Sequence, residues 1–199
     1  MDHITNNLAV LIGSRICHDL ISPIGAITNG LELMQMSGSA LTPEVSLIAD
    51  SVDHANARIR FFRVAYGLAS EKQAMSRAEI IGILKNGALG ARVSIIWEPL
   101  EEIPRAQVRL VFLALQCFET AMPYGGRITI TRQDGRWSLA GSAEKLRQSA
   151  DLWAGLHEPG RAGDVTPAQV QFALLPQLVR DEGRRITLQA SDTDILMRF

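Results

Sequence analysis

The sequence predicts an α+β protein: an N-terminal helical hairpin that pairs with a second copy into a four-helix bundle, followed by an α/β two-layer domain. Two long apolar repeats fill the first third of the chain, and β-type alternation appears beyond residue 92. The pattern changes between Gly67 and Ala74. The domains are therefore drawn at 1–72 and 73–199.

The first repeat runs through Leu8, Ile12, Ile16, Leu20, Ile24, Ile27, Leu31 and Met34, in steps of three and four that align as one seam on a helix. The second runs through Val45, Ile48, Val52, Ala55, Ile59, Phe62, Tyr66 and Ala69, widened by Phe61, Val64, Ala65 and Leu68. Between them lie a glycine stop at Gly38, a cap at Thr42 and Pro43 at the first helical position. Residues 3 to 70 thus read as a helical hairpin. Two helices cannot bury stripes this wide by themselves, so the economical solution is a homodimer; cover by the rest of the chain is the alternative.

Beyond the boundary, Ser76 and Glu79 form a capping box ahead of a short helix ending near Asn86-Gly87. Residues 92–98 alternate as a strand, and Pro104 opens an apolar helix to Ala121. Residues 127–132 and 136–140 flank Asp134-Gly135, a hairpin turn signal. A helix is expected over 143–155, a loop over 158–166, a helix from Thr166-Pro167 through Arg180 ended by Glu182-Gly183, and closing strands over 186–190 and 194–198.

Bulk properties narrow the functional classes. The net charge is −1 with both signs interspersed, so no basic surface advertises nucleic acid or anionic lipid. The clusters Arg58-Arg60-Arg63 and Arg184-Arg185 read as solvated helix and turn faces. Without an apolar run of about 18 residues or the basic start of a signal peptide, a cytoplasmic protein without membrane contact is expected. Cys17 and Cys117 read as reduced residues, and no ligand spacing surrounds Cys17 and His18, so no metal site is expected.

His18 is the residue that stands out. It lies two residues from both Ile16 and Leu20, hence roughly 160–200° away from the seam at about 100° per residue. Its face carries Asn7, Ser14, Ser22, Gly25 and Asn29, short side chains that leave the imidazole unobstructed, and Leu11 lies near enough to offer an apolar contact. A histidine so presented, with Asp19 beside it, suggests a nucleophile serving a partner protein. His3 falls near a terminus, His54 on the outer face of the second helix and His157 in a loop.

His18-Asp19-Leu20, with Pro23 five residues after the histidine, in the first of two dimerising helices and ahead of a small α/β domain, resembles a histidine kinase. The run Ser22-Pro23-Ile24-Gly25-Ala26-Ile27-Thr28-Asn29-Gly30-Leu31-Glu32-Leu33 is the most specific part of the match. The closer resemblance is to the ChpT family of histidine phosphotransferases. That resemblance covers essentially the whole chain and implies a dimerisation and phosphorylation domain joined to a degenerate copy of the kinase ATPase (Bergerat) fold.

The departures from a working kinase are equally informative. Kinases place two asparagines four apart before an alanine on the helix that holds magnesium and phosphates; here the run reads Gln116-Cys117-Phe118-Glu119-Thr120-Ala121. The Asp-x-Gly-x-Gly element is replaced by Leu139-Ala140-Gly141-Ser142-Ala143-Glu144, and the loop from Gly155 to Gly163 has no Gly-x-Gly cradle. The resemblance therefore implies no cofactor of the chain's own. A phosphoryl group arrives from the phospho-aspartate of a receiver domain on a hybrid histidine kinase and leaves for response regulators, with Mg²⁺ supplied by the partner receiver, in two-component signalling tied to cell-cycle regulation.

His18 is then the phosphorylated residue, and an imidazole with a pKa of about 6.5 is largely neutral and nucleophilic at cytoplasmic pH. Asp19 is the expected helper, accepting the proton on the other ring nitrogen. Leu11, Ser14, Arg15, Ser22 and Gly25 are the expected receiver contacts. Pro23 is expected to loosen the helix near residue 19. Two competing readings stay open: a dimeric scaffold that docks response regulators without transfer, and an ATP-dependent kinase.

Overall fold

The computed structural model describes residues 19, 20, 22–27, 29, 30, 33, 34, 43–67, 73–85, 92–158 and 165–199. The described residues between 19 and 34 are helical and are called α1 together. Helix α2 spans Pro43–Ala65. The helical hairpin is thus present over the described residues, and its expected reach to residues 3–18 lies outside them. The two helices meet closely at Gly30, where a Cβ would overlap the Ile48 side chain and sit 3.2 Å from the Glu44 carbonyl.

The remainder forms strands β1 (Ala74–Met75), β2 (Val93–Trp97), β3 (Ile103–Pro104), β4 (Gly126–Gln133), β5 (Arg136–Ser142), β6 (Thr187–Ala190) and β7 (Asp194–Arg198). Helices α3 (Arg77–Lys85), α4 (Arg105–Ala121), α5 (Ala150–His157) and α6 (Val170–Asp181) accompany them, α6 preceded by a 3₁₀ turn at Pro167–Gln169. Five strands pair in the order β2-β4-β5-β7-β6, with β2 parallel to β4 and the other pairs antiparallel.

Alternation decides which way the sheet faces. Ile128, Ile130, Trp137, Leu139, Ile195 and Met197 are buried, whereas Arg127, Arg136, Ala140 and Arg198 between them are exposed. The buried face receives α4, whose residues from Leu110 to Phe118 are all buried. Aromatic edges tie the helical layer together: Trp153 of α5 meets Phe118 of α4 at 6.2 Å and Phe172 of α6 at 5.6 Å, both T-shaped.

Several sequence signals act as expected. Ser76 Oγ accepts from the Glu79 N–H at 3.2 Å, Thr166 and Gln169 close a capping box, and Asp134 and Gly135 both take positive φ in the β4–β5 turn. The helix expected over 143–155 begins only at Ala150. Backbone N–H groups at Ala143, Leu146 and Arg147 bond instead to Thr193, Asp192 and Ala121, so tertiary partners outcompete a helical turn there. The β1–β3 pair, Ala74 opposite Pro104 and Met75 opposite Ile103, was not anticipated.

The end of the hairpin belongs to the core of the sheet domain. Ala57, Phe61, Phe62, Val64 and Ala65 of α2 are buried, and the last four share one apolar cluster with α4 and the sheet. Arg105 Nη2 bonds the Arg63 carbonyl at 2.6 Å and Arg109 Nε the Ala65 carbonyl at 3.3 Å. By contrast Ile24, Leu33, Leu47, Val52 and Ile59 are 39–54 % exposed. The rest of the chain therefore covers one face of α2 and leaves apolar side chains of the hairpin exposed, among them Val52 and Ile59 one heptad apart on α2.

Candidate functional site

The expected site begins on α1. Leu11, Ser14, Arg15 and His18 lie outside the described residues, while Asp19, Ser22 and Gly25 lie within them. Ser22, Gly25 and Asn29 are exposed. A Cβ placed on Gly25 would meet nothing within 4 Å, so a partner's backbone has room to approach. Leu20, Pro23 and Ile27 are half-buried, and Pro23 sits within the helical residues 22–27.

Asp19 does not face solvent. Its side chain is 7 % exposed, and its Oδ2 accepts from Arg58 Nη2 of α2 at 2.7 Å. The same guanidinium donates through Nη1 to Glu119 Oε1 of α4 at 2.9 Å. The Arg58 guanidinium lies over the Phe62 ring, with Cζ 5.4 Å from its centroid. Burial alone would lower the Arg58 pKa, but the flanking carboxylates of Glu119 and Asp19 raise it overall. This corrects the expectation that Arg58 belongs to a solvated face: its side chain is 15 % exposed and bridges three helices. No signal along α2 separates Arg58 from Arg60 and Arg63, both of which are exposed.

The helix positions that carry asparagines in kinases serve internal packing here. Gln116 is fully buried and its Oε1 accepts from the Tyr66 hydroxyl at the end of α2. Thr120 Oγ1 donates to the Gln116 carbonyl at 2.9 Å and accepts from Nε2 of the buried Gln171 of α6 at 3.2 Å. Both side chains are thus engaged with the fold: Gln116 with Tyr66 just beyond α2, Thr120 with α6.

The other described histidines fall elsewhere. His54 is exposed on α2, and His157 is the exposed last residue of α5 rather than part of a loop. Cys117 is buried, and desolvation pushes its thiol well above the ordinary range. Among the described residues no three His, Cys, Asp or Glu side chains gather around a common point.

The sequence model described as "Histidine phosphotransferase C-terminal domain" matches residues 77–194. "Protein phosphotransferase ChpT" of Brucella abortus (strain 2308) is 30 % identical, with 96 % of this chain aligned to 93 % of that protein. A solved structure described as a bacterial phosphotransferase superposes with a TM-score of 0.81 at 28 % identity, covering 96 % of this chain and 95 % of its own.

Proposed function

This chain belongs to the histidine phosphotransferase family, and on that footing we propose that His18 relays a phosphoryl group without ATP from the phospho-aspartate of a hybrid kinase's receiver domain to the aspartate of response regulators. The observation that carries this reading is the open face following His18 and Asp19, where Ser22 and Gly25 are exposed and nothing crowds Gly25.

In the first step a ring nitrogen of neutral His18 attacks phosphorus. The N–P bond forms as the P–O bond to the donor aspartate breaks, and that aspartate leaves as a carboxylate. The imidazole becomes positively charged and keeps its remaining N–H, whose proton the Asp19 carboxylate holds in a hydrogen bond that stabilises the charge. In the second step the aspartate of the acceptor receiver attacks phosphorus and the imidazole departs neutral. Phosphoryl transfer is mostly positioning and charge neutralisation, and the receiver brings the Mg²⁺ for the latter. Leu11, Ser14, Arg15, Ser22 and Gly25 contact the receiver in this reading.

Independence from ATP is supported by the engagement of Gln116 with Tyr66 and of Thr120 with Gln171. A homodimer is supported by exposed apolar side chains on the hairpin, among them Val52 and Ile59 one heptad apart on α2, which a second hairpin would cover in a four-helix bundle. In this reading the relay works in the cytoplasm alongside its receivers, and among the described residues no helix is long and apolar enough to cross a membrane.

The test is transfer of label from a phosphorylated receiver domain to the protein and to His18→Ala, with Mg²⁺ and no nucleotide. Acid-labile, base-stable label on the wild type alone is expected. Absence of label on both would favour a scaffold that docks regulators without transfer.

A further inference from the structure

Arg58 has no part in the relay as described above, yet it joins the residue after His18 to the C-terminal domain. Resting on the relay reading, we infer that Arg58 is a positioning residue for transfer: it fixes the Asp19 carboxylate and anchors it to Glu119, so that the phosphorylatable helix and the C-terminal domain meet the receiver as one piece.

The geometry suits that task. One guanidinium edge spends Nη2 on Asp19 at 2.7 Å and Nη1 on Glu119 at 2.9 Å. A planar, permanently charged fork spans two carboxylates from two nitrogens at a fixed spacing, whereas an ammonium would have to reach both from one nitrogen. The ring of Phe62 beneath the guanidinium restricts the side chain further.

The bridge is not needed merely to attach the two parts of the chain. Phe61 and Phe112 already stack across the α2–α4 contact, and Arg105 and Arg109 tie the end of α2 to the start of α4. Passing along α2 from Arg58 to Ala65, the partners on α4 move back from Glu119 to Arg109, so the helices run antiparallel. Arg58 is thus the clamp at the end of the contact nearest Asp19. A partly buried ion network is a weak source of stability, because desolvation offsets much of the Coulomb gain, but it fixes orientation. What it orients here is the carboxylate adjacent in sequence to the nucleophile.

The experiment measures transfer from a phosphorylated receiver at saturating and subsaturating receiver concentrations. It compares the wild type with Arg58→Ala, Arg58→Lys, Glu119→Gln, Asp19→Asn and the Arg58→Ala/Asp19→Asn double variant. Rates are expressed per active site, and circular dichroism checks folding. Arg58→Ala is expected to lower the saturating rate roughly ten- to a hundred-fold with little change in KM. Arg58→Lys should recover only part of the loss, Glu119→Gln should lose less, and the double variant should be no slower than its slower parent. A change in KM alone, full rescue by lysine, multiplicative losses in the double variant, or unaltered rates per active site would each overturn the inference. A wild type that takes no label at His18 would instead overturn the relay reading itself.

Discussion

The ring of Phe61, four residues before the end of α2, lies 4.6 Å from that of Phe112 in α4 with the planes 14° apart. This stacked pair joins the helical hairpin to the sheet domain. Helix α2 and the C-terminal domain are therefore set relative to each other by packing as well as by the Arg58 bridge to Glu119.

Because both rings are fully buried, Phe112→Ala should cost about 3–5 kcal/mol. Unfolding of hairpin and sheet domain should remain coupled, so helical ellipticity and tryptophan fluorescence should report one urea transition shifted to lower denaturant. Two separated transitions in the wild type would contradict the shared core.

Tyr66→Phe removes the donor to the buried Gln116 amide and adds no bulk. An unsatisfied buried acceptor costs about 1–3 kcal/mol. Chemical denaturation should show a loss of that size, with the slope of the transition unchanged.

The exposed apolar side chains of the hairpin should mediate self-association. Val52→Glu and Ile59→Glu place a charge where a second copy's apolar surface is expected. Light scattering behind size exclusion should give a dimer for the wild type and a monomer for either variant at the same concentration, with the circular dichroism spectrum of the folded protein little altered.

Cys117 gives the chain a pH dependence on the alkaline side. Burial raises the thiol's pKa in the folded state, so above the ordinary value of about 8.5 the unfolded chain loses a proton that the folded chain keeps. The unfolded state then binds fewer protons, and this contribution to stability falls with rising pH, by at most about 1.4 kcal/mol per pH unit. Urea midpoints measured on both sides of that value should diverge from those of Cys117→Ala, and alkylation of the native thiol should be slow until the protein unfolds.

Local chemistry made much of the fold legible. The Ser76 cap, the Asp134-Gly135 turn, the Thr166 capping box and the β-type alternation all act through near neighbours in sequence, so their signals survive without tertiary information. The β1–β3 pair has only two residues per strand, too short to show a period. The late start of α5 depends on carbonyls at Ala121, Asp192 and Thr193, far away along the chain. At the candidate site, Asp19 stood out for its place beside His18, but Arg58 did not. Its partners lie 39 and 61 residues away, and three arginines in six residues of one helix look like a solvated face until those partners are in place. Likewise Phe61, Val64 and Ala65 read as a widening of the hairpin seam, whereas they are the part that enters the core of the sheet domain.

The most direct test of the relay is a chase. The protein is labelled from a phosphorylated receiver, freed of the donor and of all nucleotide, and mixed with Mg²⁺ and an unlabelled response regulator. The account predicts that label leaves His18 and appears on the regulator's receiver aspartate. Label that stays on the protein, or moves only when ATP is added, would contradict it.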